Sequence, residues 1–142
     1  ILAFNNCAFW FLINYGSEVS LFEHYREKGM KGFILYPENN FVNSIALKTY
    51  PALGFRAKVV KRLFPSSMDV NVVGHTVIQV YFPQDIVKKL AKLTSSYSSA
   101  AQVPLKEQNE LVNHKCEIKM VCFKNEEMAK ALAAQMRGAL RG

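Results

Sequence analysis

The chain has 142 residues, half of them hydrophobic and 20% charged, with ten Phe, six Tyr and a single Trp. That balance excludes a disordered polyelectrolyte, and the length suits one domain with its own core better than two. The net charge of +7 favours anionic partners such as RNA or an anionic lipid surface, and residues 55–92 hold most of it, with seven basic and two acidic side chains.

The chain opens on ILAFNNCAFWFLINYG, where twelve of the first fifteen residues are apolar or aromatic and no methionine leads, which predicts that a leader has been removed. The longest clean run, CAFWFLI, falls far short of the roughly 20 residues that a spanning helix needs, so no transmembrane segment is expected. The stretch reads as a buried central strand over about 7–15. Phe9, Trp10 and Phe11 are its candidate contacts with neighbouring protein subunits.

SEVSLFEHYREKG follows with the marks of a short helix: Ser20 and Glu23 at capping-box spacing, Leu21, Phe22 and Tyr25 on one face, and Gly29 to close it. His24 reads as a solvated side chain of that helix. KGFILYPENN predicts a strand over 31–36, and FVNSIALKTYPALG is ambiguous, with breakers at Pro51 and Gly54.

FRAKVVKRLFP has split periodicity. Phe55, Ala57 and Val59 alternate with Arg56 and Lys58 as in a strand, whereas Phe55, Val59, Val60 and Leu63 recur at helical spacing. PSSMDVN reads as a loop and VVGHTVIQVYF as one strand, 72–82, rich in β-branched residues. PQDIVKKLAKL then predicts a helix with Pro83 early, Asp85 in the first turn and a stripe of Ile86, Leu90 and Leu93.

TSSYSSAAQVPLKEQ predicts a mobile Ser-rich loop at 94–108. EIKMVCF within 116–123 reads as a further strand, and NEEMAKALAAQM as a helix capped by Asn125 with Met128, Leu132 and Met136 as its stripe. The closing RGALRG is expected to fray. The expected fold is a single α+β domain over 1–142, a mixed sheet of four to five strands with helices packed on it, including two strand–helix units at 72–93 and 116–140.

Cys7, Cys116 and Cys122 make an odd count without metal-type spacing and read as reduced, buried thiols, which points to an intracellular, reducing compartment; import into a mitochondrion fits the missing methionine. On an extended strand Cys116 and Cys122 stand about 20 Å apart, too far for a disulfide. There is no Walker loop, GxGxxG, HExxH or GxSxG, so no cofactor or metal is expected. An enzyme reading would rest on His75, beside Gly74 and Thr76; His114 precedes Lys115 and Cys116 on what reads as a strand, where neighbours point to opposite faces.

Phosphate contacts need only suitably spaced Lys and Arg with aromatic faces nearby. Arg56, Lys58, Lys61, Arg62, Lys88, Lys89 and Lys92 meet that requirement if the sheet sets FRAKVVKRLF beside the Lys88 helix. The function expected from the sequence is therefore a non-enzymatic, RNA-contacting subunit of a ribonucleoprotein, of organellar ribosome type. The alternatives are an accessory subunit of a membrane-associated complex on anionic lipid and a small-molecule enzyme using His75.

Overall fold

The computed structural model of the chain describes residues Ile1–Arg141. It is an α+β domain built on one mixed sheet of six strands, slightly more than the four to five expected. The order is β3-β2-β1-β4-β5-β6, with β1 (Leu2–Phe4), β2 (Phe33–Tyr36), β3 (Arg56–Val59), β4 (Met68–Val73), β5 (Thr76–Tyr81) and β6 (Lys119–Lys124). β1, β2 and β3 run parallel, β4 runs antiparallel to β1, and β4, β5 and β6 form a meander.

Parallel neighbours need crossover helices, and α1 (Phe9–Glu27) and α2 (Phe41–Ala52) supply them. With α3 (Gln84–Ser96) and α4 (Leu105–Val112) they cover one face of the sheet, around Phe22, Ile34, Tyr50, Phe55, Ile86 and Leu90. α5 (Glu126–Arg141) covers the other face, setting Ala129, Ala133 and Met136 on Phe4, Leu35, Val70, Val72 and Val77. Each Val, Leu, Ile, Phe or Met side chain among them, taken fully from water, contributes about 1.5–3 kcal/mol. None of the described helices is long and apolar enough to cross a membrane.

Several sequence expectations change. The strand placed at 7–15 is helix: β1 is confined to Leu2–Phe4, and the aromatic run opens α1, which continues through SEVSLFEHYRE. A short apolar run has no period that separates a buried strand from a buried helix. Asn14 interrupts α1 with φ −155 and ψ 66, and its Oδ1 accepts from Ser17 N–H at 3.3 Å, so Asn14 restarts the helix where Ser20 was expected to. The ambiguous 41–54 segment is α2, capped by Asn40 and carrying Pro51 in its last turn.

The single strand read at 72–82 is a hairpin. Val73 pairs with Thr76 around Gly74, at φ +60, and His75, the two-residue turn that a left-handed glycine permits. PSSMDVN, read as a loop, therefore supplies most of β4. The strand read at 116–123 lies at 119–124. Segment 94–108 contains the end of α3, a 3₁₀ turn over Ala100–Gln102 and the start of α4, with Val103 buried. Of RGALRG, the residues through Arg141 continue α5, and Gly142 lies outside the described residues.

The α3 stripe of Ile86, Leu90 and Leu93 is buried as expected. In α5, Asn125 caps through Met128 N–H at 2.9 Å, but the buried line is Ala129, Ala133 and Met136, and Met128 is exposed. β6 closes the sheet with Met120, Val121 and Cys122 all exposed and a lysine at either end. Cys116 is exposed as well and Cys7 partly buried, so the expectation of three buried thiols does not hold; all three are free.

Candidate functional site

Three parallel strands bring their carboxyl ends to one edge of the sheet, and the loops leaving them meet there. In open α/β sheets this is where ligand crevices form. The loop after β1 carries Asn6 and Cys7, the loop after β2 carries Glu38 and Asn40, and the coil after β3 carries Lys61 and Arg62. Asp69 enters from the start of β4.

Asn6 is the hub. Its backbone N–H donates to Asp69 Oδ1 at 2.8 Å, and its Nδ2 donates to the carbonyls of Pro65 at 2.9 Å and Met68 at 2.7 Å. Arg62 Nη1 donates to Asn6 Oδ1, so a hydrogen-bonded chain links Arg62, Asn6 and Asp69. Among the described residues no donor reaches Asp69 Oδ2, which leaves one carboxyl oxygen for a guest. Asn43, fully buried on α2, ties the other two loops together: its Oδ1 accepts from Ala8 N–H at 2.8 Å and its Nδ2 donates to the Glu38 carbonyl at 3.0 Å.

These loops and α3 enclose a cleft of about 80 Å³. Asn6, Glu38, Arg62 and Asp69 line its polar side, and Phe9, Phe82, Val87 and Leu90 its apolar side. A water needs roughly 10–15 Å³ and drug-sized ligands roughly 300–1,000 Å³. The cleft therefore suits a molecule of a few heavy atoms better than a nucleotide.

Electrostatics sort the titratable groups. Asp69 is 2% exposed, and desolvation raises its carboxyl from 3.8 to about 7 against the opposing pull of the Asn6 hydrogen bonds. A group titrating there takes and gives protons at neutral pH. Burial, with the nearby Asp69 and Glu38 charges, pushes the Cys7 thiol up to about 12, which favours the un-ionised form at neutral pH. The Tyr36 hydroxyl, at the end of β2, is buried without a hydrogen-bond partner among the described residues, and burial raises its pKa too. An orphaned polar group costs about 1–3 kcal/mol.

The residues singled out in the sequence are scattered by comparison. Arg56 and Lys58 project on the α5 face: Arg56 lies over the Phe33 ring at 5.3 Å, and Lys58 Nζ donates to the Leu140 carbonyl at 2.9 Å. Lys88, Lys89 and Lys92 stand on α3, on the opposite face, where Lys89 and Lys92 share a groove with Lys106, Glu107 and Glu110. The seven charges do not form one surface, because alternation along β3 points Arg56 and Lys58 away from the α1–α4 layer. Only Arg62 reaches the cleft that α3 lines.

Phe9 and Phe11 are buried in the chain's own core, and of the three aromatics Trp10 alone keeps surface, at 36% exposure beside Phe9 and Phe82. His75 sits at the tip of the β4–β5 hairpin, solvent-exposed and 3.6 Å from Glu126, remote from the cleft residues in the fold. His114 lies in coil, not on a strand, where its Nε2 meets Asp85 Oδ2 at 2.6 Å and its Nδ1 meets Lys89 Nζ at 3.0 Å. That hydrogen bond holds the exposed Asp85 carboxyl below its usual range. The contacts fasten the α4–β6 connection to the start of α3.

Sequence reading passed over Asp69, Asn6 and Glu38. The available signals were Asn5-Asn6 interrupting an otherwise apolar opening and an aspartate within MDVNVV, where polar residues alternate with β-branched ones. No family model, curated protein or solved structure matches this chain.

Proposed function

We propose that the protein is a small-molecule binding protein with acid–base capacity, taking up a small compound that carries an anionic group in the cleft at the carboxyl ends of β1, β2 and β3. Arg62 holds the anionic group, and Asp69 exchanges a proton with the guest. One observation carries this reading: a buried carboxyl with one oxygen tied to Asn6 and the other unbonded, on the wall of a cleft that also holds the Arg62 guanidinium. Arginine suits such an anchor because its planar fork matches a carboxylate or phosphate.

Thermal-shift titration with inorganic phosphate, acetate, propionate and malonate tests it. At least one of these anions raises the Tm of the wild-type chain in a saturable way, and Arg62→Gln removes the shift while the unliganded variant still unfolds cooperatively. Equal shifts in wild type and Arg62→Gln would mean that the anions act elsewhere and would overturn the reading.

A second reading keeps the RNA-contacting role, with neighbouring subunits in a ribonucleoprotein. It is favoured by Lys88, Lys89 and Lys92, all exposed along α3, and by the net charge of +7. Here the expected result is RNA affinity that falls steeply between about 50 and 200 mM salt, and a salt slope reduced by about two to three units when all three lysines become Gln. Salt-insensitive binding, or binding unchanged in the triple variant, counts against it.

A further inference from the structure

Resting on the cleft reading, the charge layout narrows the class of guest. Arg62 and Glu38, both solvent-exposed, line the same cleft with no salt bridge between them, and among the described residues no other charged side chain pairs with either: Arg62 is bonded to the Asn6 amide oxygen, and Glu38 Oε1 accepts from the Asn40 amide at 3.1 Å. A plain anion uses one of these charges and meets the other as repulsion. A plain cation fails in the converse way. A molecule carrying both signs a short distance apart satisfies both, and the apolar wall of Phe9, Phe82 and Leu90 accepts a small hydrocarbon side chain between them.

We propose that the cleft selects a small zwitterion of the α-amino-acid class, with Arg62 on its carboxylate, Glu38 on its ammonium group, and Asp69 adjoining the ammonium as a second acceptor. Three features support the class over its neighbours. The cleft volume of about 80 Å³ suits a compact amino acid better than a nucleotide or oligosaccharide. The unbonded Asp69 Oδ2, once the carboxyl is ionised, offers an acceptor, which an ammonium group needs and a second carboxylate does not. Among the described residues no other lysine or arginine lines the cleft, so a multiply charged anion would meet one cation and two carboxyl groups.

Calorimetric and thermal-shift titrations with glycine, L-alanine, L-serine, propionate, ethylamine and N-acetyl-L-alanine separate the possibilities, using wild type, Glu38→Gln and Arg62→Gln. Expected is binding of at least one free amino acid to wild type at least about tenfold tighter than propionate, ethylamine or N-acetyl-L-alanine. Glu38→Gln brings that amino acid and propionate to within about twofold of each other, and Arg62→Gln weakens both. Propionate binding as tightly as the amino acids, indifferent to Glu38→Gln but lost in Arg62→Gln, overturns the zwitterion and leaves the anion site standing. Ethylamine binding without propionate, or no saturable binding by any of the six, overturns both.

Discussion

Replacing Asp69 by Asn removes a downward slope of stability with pH between 3.8 and about 7. Across that window the folded chain keeps the Asp69 proton, while the unfolded chain, whose carboxyl titrates at its ordinary value, has released it. Unfolding then releases a proton, so raising the pH favours unfolding. The contribution is fully present below pH 3.8 and is lost as the pH climbs through about 7. At about 1.4 kcal/mol per unit the loss approaches about 4 kcal/mol. Because the exposed carboxylates titrate alike in both proteins, the difference in unfolding free energy between wild type and Asp69→Asn isolates this group. Urea denaturation across the range should show wild type losing about 4 kcal/mol relative to the variant. Parallel curves would mean that the folded chain holds Asp69 ionised throughout, and its acid–base role would fall with that result.

Asn43→Ala is expected to cost about 2–4 kcal/mol, because it orphans the buried Ala8 N–H, worth about 1–3 kcal/mol when unpaired, and removes the bond to the partly buried Glu38 carbonyl, worth about 0.5–1.5 kcal/mol. Its Oδ1 is the acceptor for Ala8 N–H, and its Nδ2 is the donor to the Glu38 carbonyl. The loops after β1 and β2 are thereby fixed to the first turn of α2. The loss should appear as a lower denaturation midpoint with an unchanged m-value. A change below about 0.5 kcal/mol would place the variant with ordinary surface substitutions and show that these loops need no such tie.

The α+β class and the long amphipathic helices were legible because their signals are local. Ile86, Leu90 and Leu93 recur at helical spacing, and Asn125 precedes two glutamates at the head of α5. The aromatic opening was not legible as helix because CAFWFLI is apolar on every side, so neither a period of 2 nor one of 3.6 stands out. β4 was hidden by Asp69 and Asn71, residues depleted in strands. The Asn6 backbone overrides that preference by bonding the Asp69 carboxyl from sixty-three residues away. The cleft shares this character: Asn6, Glu38, Arg62 and Asp69 come from four separate segments, and no spacing in the chain announces their meeting. The basic residues were legible as types but not as a surface, since the faces on which Arg56 and Lys88 emerge depend on which side of the sheet each element packs.

The sheet ends at β6 with nothing paired to its outer edge among the described residues, and Met120, Val121 and Cys122 exposed along it. Such an edge offers hydrogen-bonding groups to a like strand of another molecule. In the antiparallel pairing centred between Val121 and Cys122, Lys119 of each molecule falls opposite Lys124 of the other. Four ammonium groups then crowd two spots, and like charges placed directly across strands are destabilising. Repulsion between the ends of β6 therefore opposes this in-register pairing of two molecules. That protection is strongest at low ionic strength and weakens as salt screens the lysines.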